Sequence, residues 1–485
     1  MNEQECENAE RSVESLAQQP VSWRVVSRLA WPIMVSMLSH TVMTVADTMW
    51  VGRLGMIPLA AVGFAGMMTF LIASFGMGLM NGVRVTVSQR VGAGDEESAA
   101  RLAWQGVYLA LTVGSLAVAL FPFGPELMEL TGATQAVQQQ AVPYFGVRVL
   151  GSPVIFLLAG MSAFFQGRGD TRTPMIAALA ANLGNVALDP LFIFGLGPWD
   201  GLGVAGAAWA SNLCETMATA WLFWRFVRVV PSVPRRLSWP LLRELWRVGF
   251  PMGGRWALEV AAWVIFGSVL ARVGDAELAA HVIVVRIISV SFMPGYAIGE
   301  AASVLAGQAV GAKRWEGVFE AHRVATALAV ALMFLCGVAF VSIPGLLVLP
   351  FGAEGEVEAL VRDLLLLAAA FQIFDAVAMV SQSTINGMGH TRFVAVTAVA
   401  VSWLVKLPLG WGLAIPMGMG ALGAWLGLTA ELVLIALISL AFLRYQRRKL
   451  GVGKAGRAEP PCPDGEPVES ARPTLELAVV DARVT

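Results

Sequence analysis

Charge is scarce in this sequence. Only 14% of its 485 residues are Asp, Glu, Lys or Arg, against roughly a quarter in soluble domains. A soluble chain could not keep so apolar a composition out of water. The four cysteines, Cys6, Cys214, Cys336 and Cys462, are widely scattered and form no CxxC pair, which excludes a disulfide framework and a cysteine zinc site. Four histidines do not cluster, and no HExxH or GxSxG motif occurs, so no recognisable hydrolase centre is present. The net charge of −1 offers no basic field, and no nucleic-acid partner is expected. No early apolar run stands in the polar first 28 residues, so no cleavable signal peptide is expected.

What the chain does have is apolar length. Apolar residues make up 57% of it. They fall into twelve runs, near 29–52, 58–83, 99–121, 140–165, 173–196, 202–228, 245–272, 278–305, 322–344, 359–385, 393–415 and 421–444. Each is long enough to cross a bilayer as a helix. Strands of a membrane barrel would instead alternate over about ten residues. The expected fold class is therefore an all-α polytopic membrane protein with twelve transmembrane helices. The segment 450–485, with Pro460-Pro461-Cys462-Pro463-Asp464-Gly465, reads as a disordered tail.

Lysine and arginine set the expected topology. Alternate flanking segments, beginning with the N-terminus, hold 24 of them, while the opposite loops hold only Arg53, Arg272 and Arg362. This bias places both termini in the cytoplasm.

The sequence also repeats itself. At a shift of 219, Pro32 meets Pro251, Arg53 meets Arg272, Leu59-Ala60-Ala61 meets Leu278-Ala279-Ala280, and Gln89 meets Gln308. Val91-Gly92-Ala93 meets Val310-Gly311-Ala312 at the same shift. At 220, Gly167-x-Gly-x-Thr-Arg172 meets Gly387-x-Gly-x-Thr-Arg392. A near-constant offset over so many residues indicates duplication. Six spans per copy leave both copies in the same orientation, as in two-lobed carriers. The expected parts are an N-terminal tail 1–28, an N-lobe 29–229, a cytoplasmic linker 230–243, a C-lobe 244–449 and the tail 450–485.

Ionisable residues inside the runs break this symmetry. Asp47 aligns with Phe266, Glu259 with His40, and Asp375 with Ile155. A charge within a membrane helix costs at least ~2.5–3.5 kcal/mol, which makes each a functional candidate. Asn182, Asn185 and Asp189 share one face of the fifth run, and Pro190 frees the carbonyl of Val186. Two readings fit these residues: polar glue between helices, or an oxygen-rich cation or proton pocket with Asp47 as partner. Glu259 stands one turn after Arg255, the spacing of an intrahelical ion pair. For Asp375 two readings stand: a functional acid, or a structural one with Lys406 as its counterion. Glu300 and Glu431 rank below these acids, Arg148 and Arg286 are counted only as counterions, and His40 is expected to be buried beside the Asp47 face. His281 and His322, near run ends, are expected to be solvated or capping.

These residues resemble the multidrug and toxic compound extrusion (MATE) family, in its NorM-like bacterial branch. The resemblance is carried by PIMVSMLSHTVMTVADTMWVGRLG, QRVGAGD, QGRGDTRTP, NVALDPLFIFGLGPWDGLGVAGAAWAS and GQAVGAKRWEG. It implies an N-lobe cation or proton site at Asp47, Asn185, Asp189, the Ala207 carbonyl and the Ser211 hydroxyl. Ser211 stands where the family usually has Thr. It also implies a C-lobe cation or substrate site at Glu259, Phe371 and Asp375, Phe371 replacing a frequent Tyr. The implied function is an antiporter of a bacterial inner membrane, exporting amphipathic, often cationic compounds in exchange for H⁺ or Na⁺. Na⁺ would sit at Asp47, Asn185 and Asp189. A monomer in contact with membrane lipid is expected, without further cofactors and without enzymatic activity. The rivals are a lipid-linked oligosaccharide flippase of the same broad superfamily and an intramembrane enzyme lacking known motifs.

Overall fold

In lipid, every backbone polar group must be satisfied within its own segment, so apolar runs of this length fold as helices. The structure is a computed structural model and describes residues 20–129, 132–230 and 232–452. Spans 1 to 3 are Trp23–Gly52, Met56–Gly92 and Glu96–Val118. Span 4 is Gln135–Leu150 continued by Ser152–Gly167, and spans 5 and 6 are Arg172–Phe194 and Val204–Val229. Spans 7 to 10 are Trp239–Val273, Asp275–Gly311, Trp315–Ser342 and Gly355–Gly387. Span 11 comprises Thr391–Val401, a wide π turn Ser402–Lys406, and Leu407–Ala414; span 12 is Gly420–Lys449. Short helical pieces at Gly124–Glu129 and Pro344–Val348 join spans 3 to 4 and 9 to 10.

Ten of these helices are long and apolar enough to cross a membrane, or eleven if the two halves of span 4, bent by 47°, count as one. Span 6 falls short of that measure because it carries Asn212, Glu215, Arg225 and Arg228. Spans 2 and 8 have 37 residues each, about 55 Å of helix against a hydrocarbon core of roughly 30 Å. Helix therefore reaches beyond the apolar runs. Span 1 starts at Trp23 and not near 29, and span 7 at Trp239 inside the expected linker. Hydropathy cannot mark a boundary that lies in polar helical turns. Of the expected disordered tail, 453–485 lies outside the described residues, while Leu450 and Val452 pack beside Leu443 and Phe319.

The duplication is visible in the turns. Gly169 and Gly389, in the paired Gly-x-Gly-x-Thr-Arg motifs, have φ of +89° and +88°, a left-handed conformation that glycine adopts without steric cost. After span 2, Gly94 has φ +74° and Asp95 caps span 3, accepting from the Ser98 N–H at 2.9 Å. At the matching place Lys313 takes φ +54° without being glycine.

Spans 2, 4, 8 and 10 end together on one face, here called the basic face. Spans 2 and 7 approach so closely there that a Cβ on Gly82 would stand 2.7 Å from the Gly249 Cα, and one on Gly78 2.7 Å from the Gly253 Cα. The first half of span 1 (Val26, Leu29, Ala30, Ile33) packs on Ala297, Ala301 and Leu305 of span 8. The buried clusters toward the other end each belong to one lobe. The lobes are thus joined toward the basic face.

Candidate functional site

Span 5 presents Asn182, Asn185 and Asp189 on one buried face. Asn182 Nδ2 donates to Ser39 Oγ of span 1 at 2.7 Å, the glue that the sequence pattern allowed. Asn185 Nδ2 donates to Asp189 Oδ1 and to Ser211 Oγ, both at 3.1 Å. Asp189 is 0% exposed, and its carboxyl lies within hydrogen-bond reach of that of Asp47. Asp47 lies on span 1 and is only partly covered. Ala207 packs beside Val51 and Ile193, one turn before Ser211. Spans 5 and 6 are held tightly here, since a Cβ on Gly206 would stand 2.1 Å from the Phe192 carbonyl oxygen. The structure therefore brings Asp47, Asn185, Asp189 and Ser211 together.

Three oxygens of this group have no donor: Asp47 Oδ1, Asn185 Oδ1 and Asp189 Oδ2 are buried and unpartnered. Unpaired buried acceptors are costly, and their convergence suits a proton or a hard cation. A hydrogen bond between two carboxyl groups needs a proton on one of them. Among the described residues no group of three His, Cys, Asp or Glu side chains suits a metal ion, so a cation here would rely on amide, hydroxyl and carboxylate oxygens.

Arg148 was counted only as a counterion in the sequence. It lies just before the bend in span 4, where Gly151 and Pro153 interrupt the helix. Its guanidinium donates to Asn212 Oδ1 at 2.8 Å and to Glu215 at 3.1 and 3.2 Å. This absorbs Glu215 and leaves the Asp47–Asp189 pair without a cation of its own. His40 is exposed on span 1 and not buried as expected, because Ser39, and not His40, faces span 5 at this turn.

The C-lobe differs. Arg255 Nε pairs with Glu259 at 2.8 Å, as the i,i+4 spacing allows. Lys406 does not pair with Asp375: it lies 3.1 Å from Glu431 of span 12 and 5.1 Å from the Trp263 ring centre, and is 2% exposed. The reason is the π turn at Ser402–Lys406. Pro408 cannot donate to the Leu404 carbonyl, the turn widens, and the side chain is redirected. Asp375 and Glu259 both lie in the electrostatic neighbourhood of Glu431, an acid ranked low in the sequence. Phe371 is buried against Trp425, ring centres 6.2 Å apart. Gln372 Nε2 donates to Ser291 Oγ at 2.7 Å. His281, expected near solvent, is buried among Trp263, Phe266 and Trp425. His322 meets the Ser381 hydroxyl at 3.0 Å.

A further polar set joins the lobes at the basic face. Gln89 Nε2 of the N-lobe donates to the Gly387 carbonyl at 2.9 Å. Its repeat mate Gln308 donates to the Gly167 carbonyl, mate of Gly387, at 3.1 Å. The two bonds form a reciprocal pair across the pseudo-twofold axis. Arg84 forms a buried ion pair with Glu300 and also reaches Gln166 Oε1 at 3.2 Å; Arg90 pairs with Glu244 at 3.0 Å. The internal alignment had flagged both glutamines, but as evidence of duplication. Their partnership is a tertiary fact.

The family model described as MatE matches residues 32–191 and 251–411, once in each lobe. The chain belongs to the MATE transporter family. The probable multidrug resistance protein NorM of Burkholderia pseudomallei is 30% identical over 439 residues, 88% of this chain and 93% of that protein. That of Pseudomonas aeruginosa is 31% identical over 449 residues, covering 87% and 89%. Two solved structures share the fold at TM-score 0.84 and 23% identity, with 90% of this chain and 98% of each matched chain covered. One is a MOP superfamily transporter from Pyrococcus furiosus; the other is described as a multidrug resistance MATE family transporter in an outward-facing conformation. This MATE transporter is thus a NorM-like, multi-pass membrane protein, which implies a bacterial inner membrane.

Proposed function

We propose that this transporter exports amphipathic, often cationic compounds in exchange for H⁺, with Na⁺ competing for the same N-lobe site. The names of its relatives support multidrug export. The observation that carries the coupling is the buried Asp47–Asn185–Asp189 group with three oxygens lacking donors. A proton needs only the two carboxyls, whereas Na⁺ draws on the amide, the Ser211 hydroxyl and the Ala207 carbonyl as well. Entry of either neutralises the group and favours one arrangement of spans 1, 5 and 6. Coupling follows only if the cation binds the two conformations with different affinity. In the C-lobe, Arg255 and Lys406 already neutralise Glu259 and Glu431, which leaves Asp375 as the acid free to meet a cationic substrate. The charge bias places the basic face, and both termini, in the cytoplasm.

The test is efflux of a cationic dye from proteoliposomes under an imposed pH or Na⁺ gradient. Asp47→Asn and Asp189→Asn should each abolish gradient-driven efflux while the protein remains folded by gel filtration. Asn185→Ala should weaken the Na⁺ effect more than the H⁺ effect. Wild-type rates in either carboxamide variant would remove that acid from coupling, and a requirement for Na⁺ with no response to pH would overturn proton drive.

A further inference from the structure

The repeat makes one pair of clefts comparable. In the N-lobe, the cleft between spans 3 and 6 is covered by the chain that follows span 6. Arg235 stacks 4.7 Å from the Trp104 ring centre, Tyr108 Oη donates to the Arg235 carbonyl at 2.6 Å, and Gln105 Nε2 donates to the Arg236 carbonyl at 3.0 Å. The corresponding cleft in the C-lobe lies between spans 9 and 12. There the shift of 219 puts Arg323 in place of Trp104. Aligning Gly203-x-x-Gly206-Ala207 on Gly420-x-x-Gly423-Ala424 puts Arg447 in place of Val230. An aromatic and an aliphatic residue have become two guanidiniums.

This C-lobe cleft has a volume of about 430 Å³ and is lined by Phe319, His322, Arg323, Thr326, Val330 and Arg447, among others. Both arginines are exposed, and no ion pair among the described residues involves either. Depth decides the kind of ligand. Arg323 lies eight residues into span 9, about 12 Å from its start, and Val330 about 22 Å. The cleft therefore runs from the polar boundary, where the arginines stand, down an apolar wall at hydrocarbon level. A ligand that fits has an anionic head and an apolar chain. Basic pockets between helices at a cytoplasmic boundary suit phospholipid headgroups, and a planar guanidinium pairs with phosphate through two parallel hydrogen bonds.

We propose that the cleft between spans 9 and 12 binds an anionic phospholipid, its phosphate held by Arg323 and Arg447 and the start of an acyl chain laid along Ala327 and Val330, deeper on span 9. The chain's own acidic stretch Glu459, Asp464, Glu466 and Glu469 is the rival occupant.

Native mass spectrometry of the purified full chain, titrated with phosphatidylglycerol or phosphatidylcholine, tests the proposal. The wild type should retain phosphatidylglycerol at least tenfold better than phosphatidylcholine. The double variant Arg323→Gln/Arg447→Gln should lose that preference, while Arg228→Gln, which removes a charge from the end of span 6, should keep it. Unchanged retention in the double variant overturns the site, as does equal retention of the two lipids by the wild type. Displacement of the lipid by millimolar inorganic phosphate overturns the need for an acyl chain. If the wild type binds no phosphatidylglycerol and neutralising the four tail acids in the full chain creates binding, the tail is the occupant and the lipid assignment falls.

Discussion

At the residue scale, the two lobes handle buried charge in opposite ways. The N-lobe commits the partly buried Arg148 to Glu215 and leaves Asp47 and Asp189 to each other. The C-lobe supplies a lysine to Glu431 and an arginine to Glu259. Removing one partner of a buried pair strands a charge at a cost of about 3–5 kcal/mol, whereas replacing both by apolar residues is often neutral. Lys406→Met alone should therefore lower the unfolding temperature in detergent markedly, and Lys406→Met/Glu431→Leu should restore most of it. A double variant no more stable than the single one would show that Lys406 matters through contacts other than Glu431. Asp375 shows where sequence reading stopped: Lys406 stood as its counterion in one of two readings, and no linear pattern reveals that a π turn ends at this lysine and that it meets Glu431 instead.

At the element scale, spans 2 and 7 depend on missing side chains. Gly78 and Gly82 face Gly253 and Gly249 backbone to backbone, and a Cβ at Gly82 has no flexible neighbour to displace. Small residues at helix contacts let backbones approach within van der Waals range, which supplies association energy in lipid. Gly82→Val should push the two helices apart and cost about 1–3 kcal/mol. Gly63→Val, also on span 2 but with open space around it, should be tolerated. Thermal unfolding followed by tryptophan fluorescence compares them, and equal stabilities would mean that the close approach is not under tension. The spans themselves were legible, because each apolar run exceeds the bilayer thickness. Their ends were not: polar helical turns such as Trp23–Arg28 lie outside any hydropathy window.

At the scale of the whole molecule, the lobes meet toward the basic face through the reciprocal Gln89 and Gln308 bonds and the Arg84–Glu300 pair. Each neutral hydrogen bond contributes about 0.5–1.5 kcal/mol, so losing both should shift the balance between open and closed states about tenfold. Ser88, 0% exposed beside Gly307, reports on that closure. In a Ser88→Cys background, Gln89→Leu/Gln308→Leu should raise labelling by an impermeant thiol reagent from the cytoplasmic side. No increase would mean that the glutamines do not hold the lobes together. Orientation has its own check: a reporter fused at Arg448 should be active in the cytoplasm, and activity on the outside would reverse the topology.

Resemblance to the family singled out Ser211; the residues alone determined the class of molecule, the number of spans, the duplication, and Asp47, Asn185 and Asp189 of the N-lobe group. Each follows from local physics: hydrocarbon length, helical periodicity, a constant offset between copies, and the cost of a charge in lipid. The tertiary structure decided which charges neutralise which. Arg148 chooses Glu215, Lys406 chooses Glu431, and Gln89 and Gln308 reach across the lobes. Such partnerships join helices far apart in the chain, and their geometry depends on the bend at Gly151 and the π turn before Pro408, which no periodicity encodes.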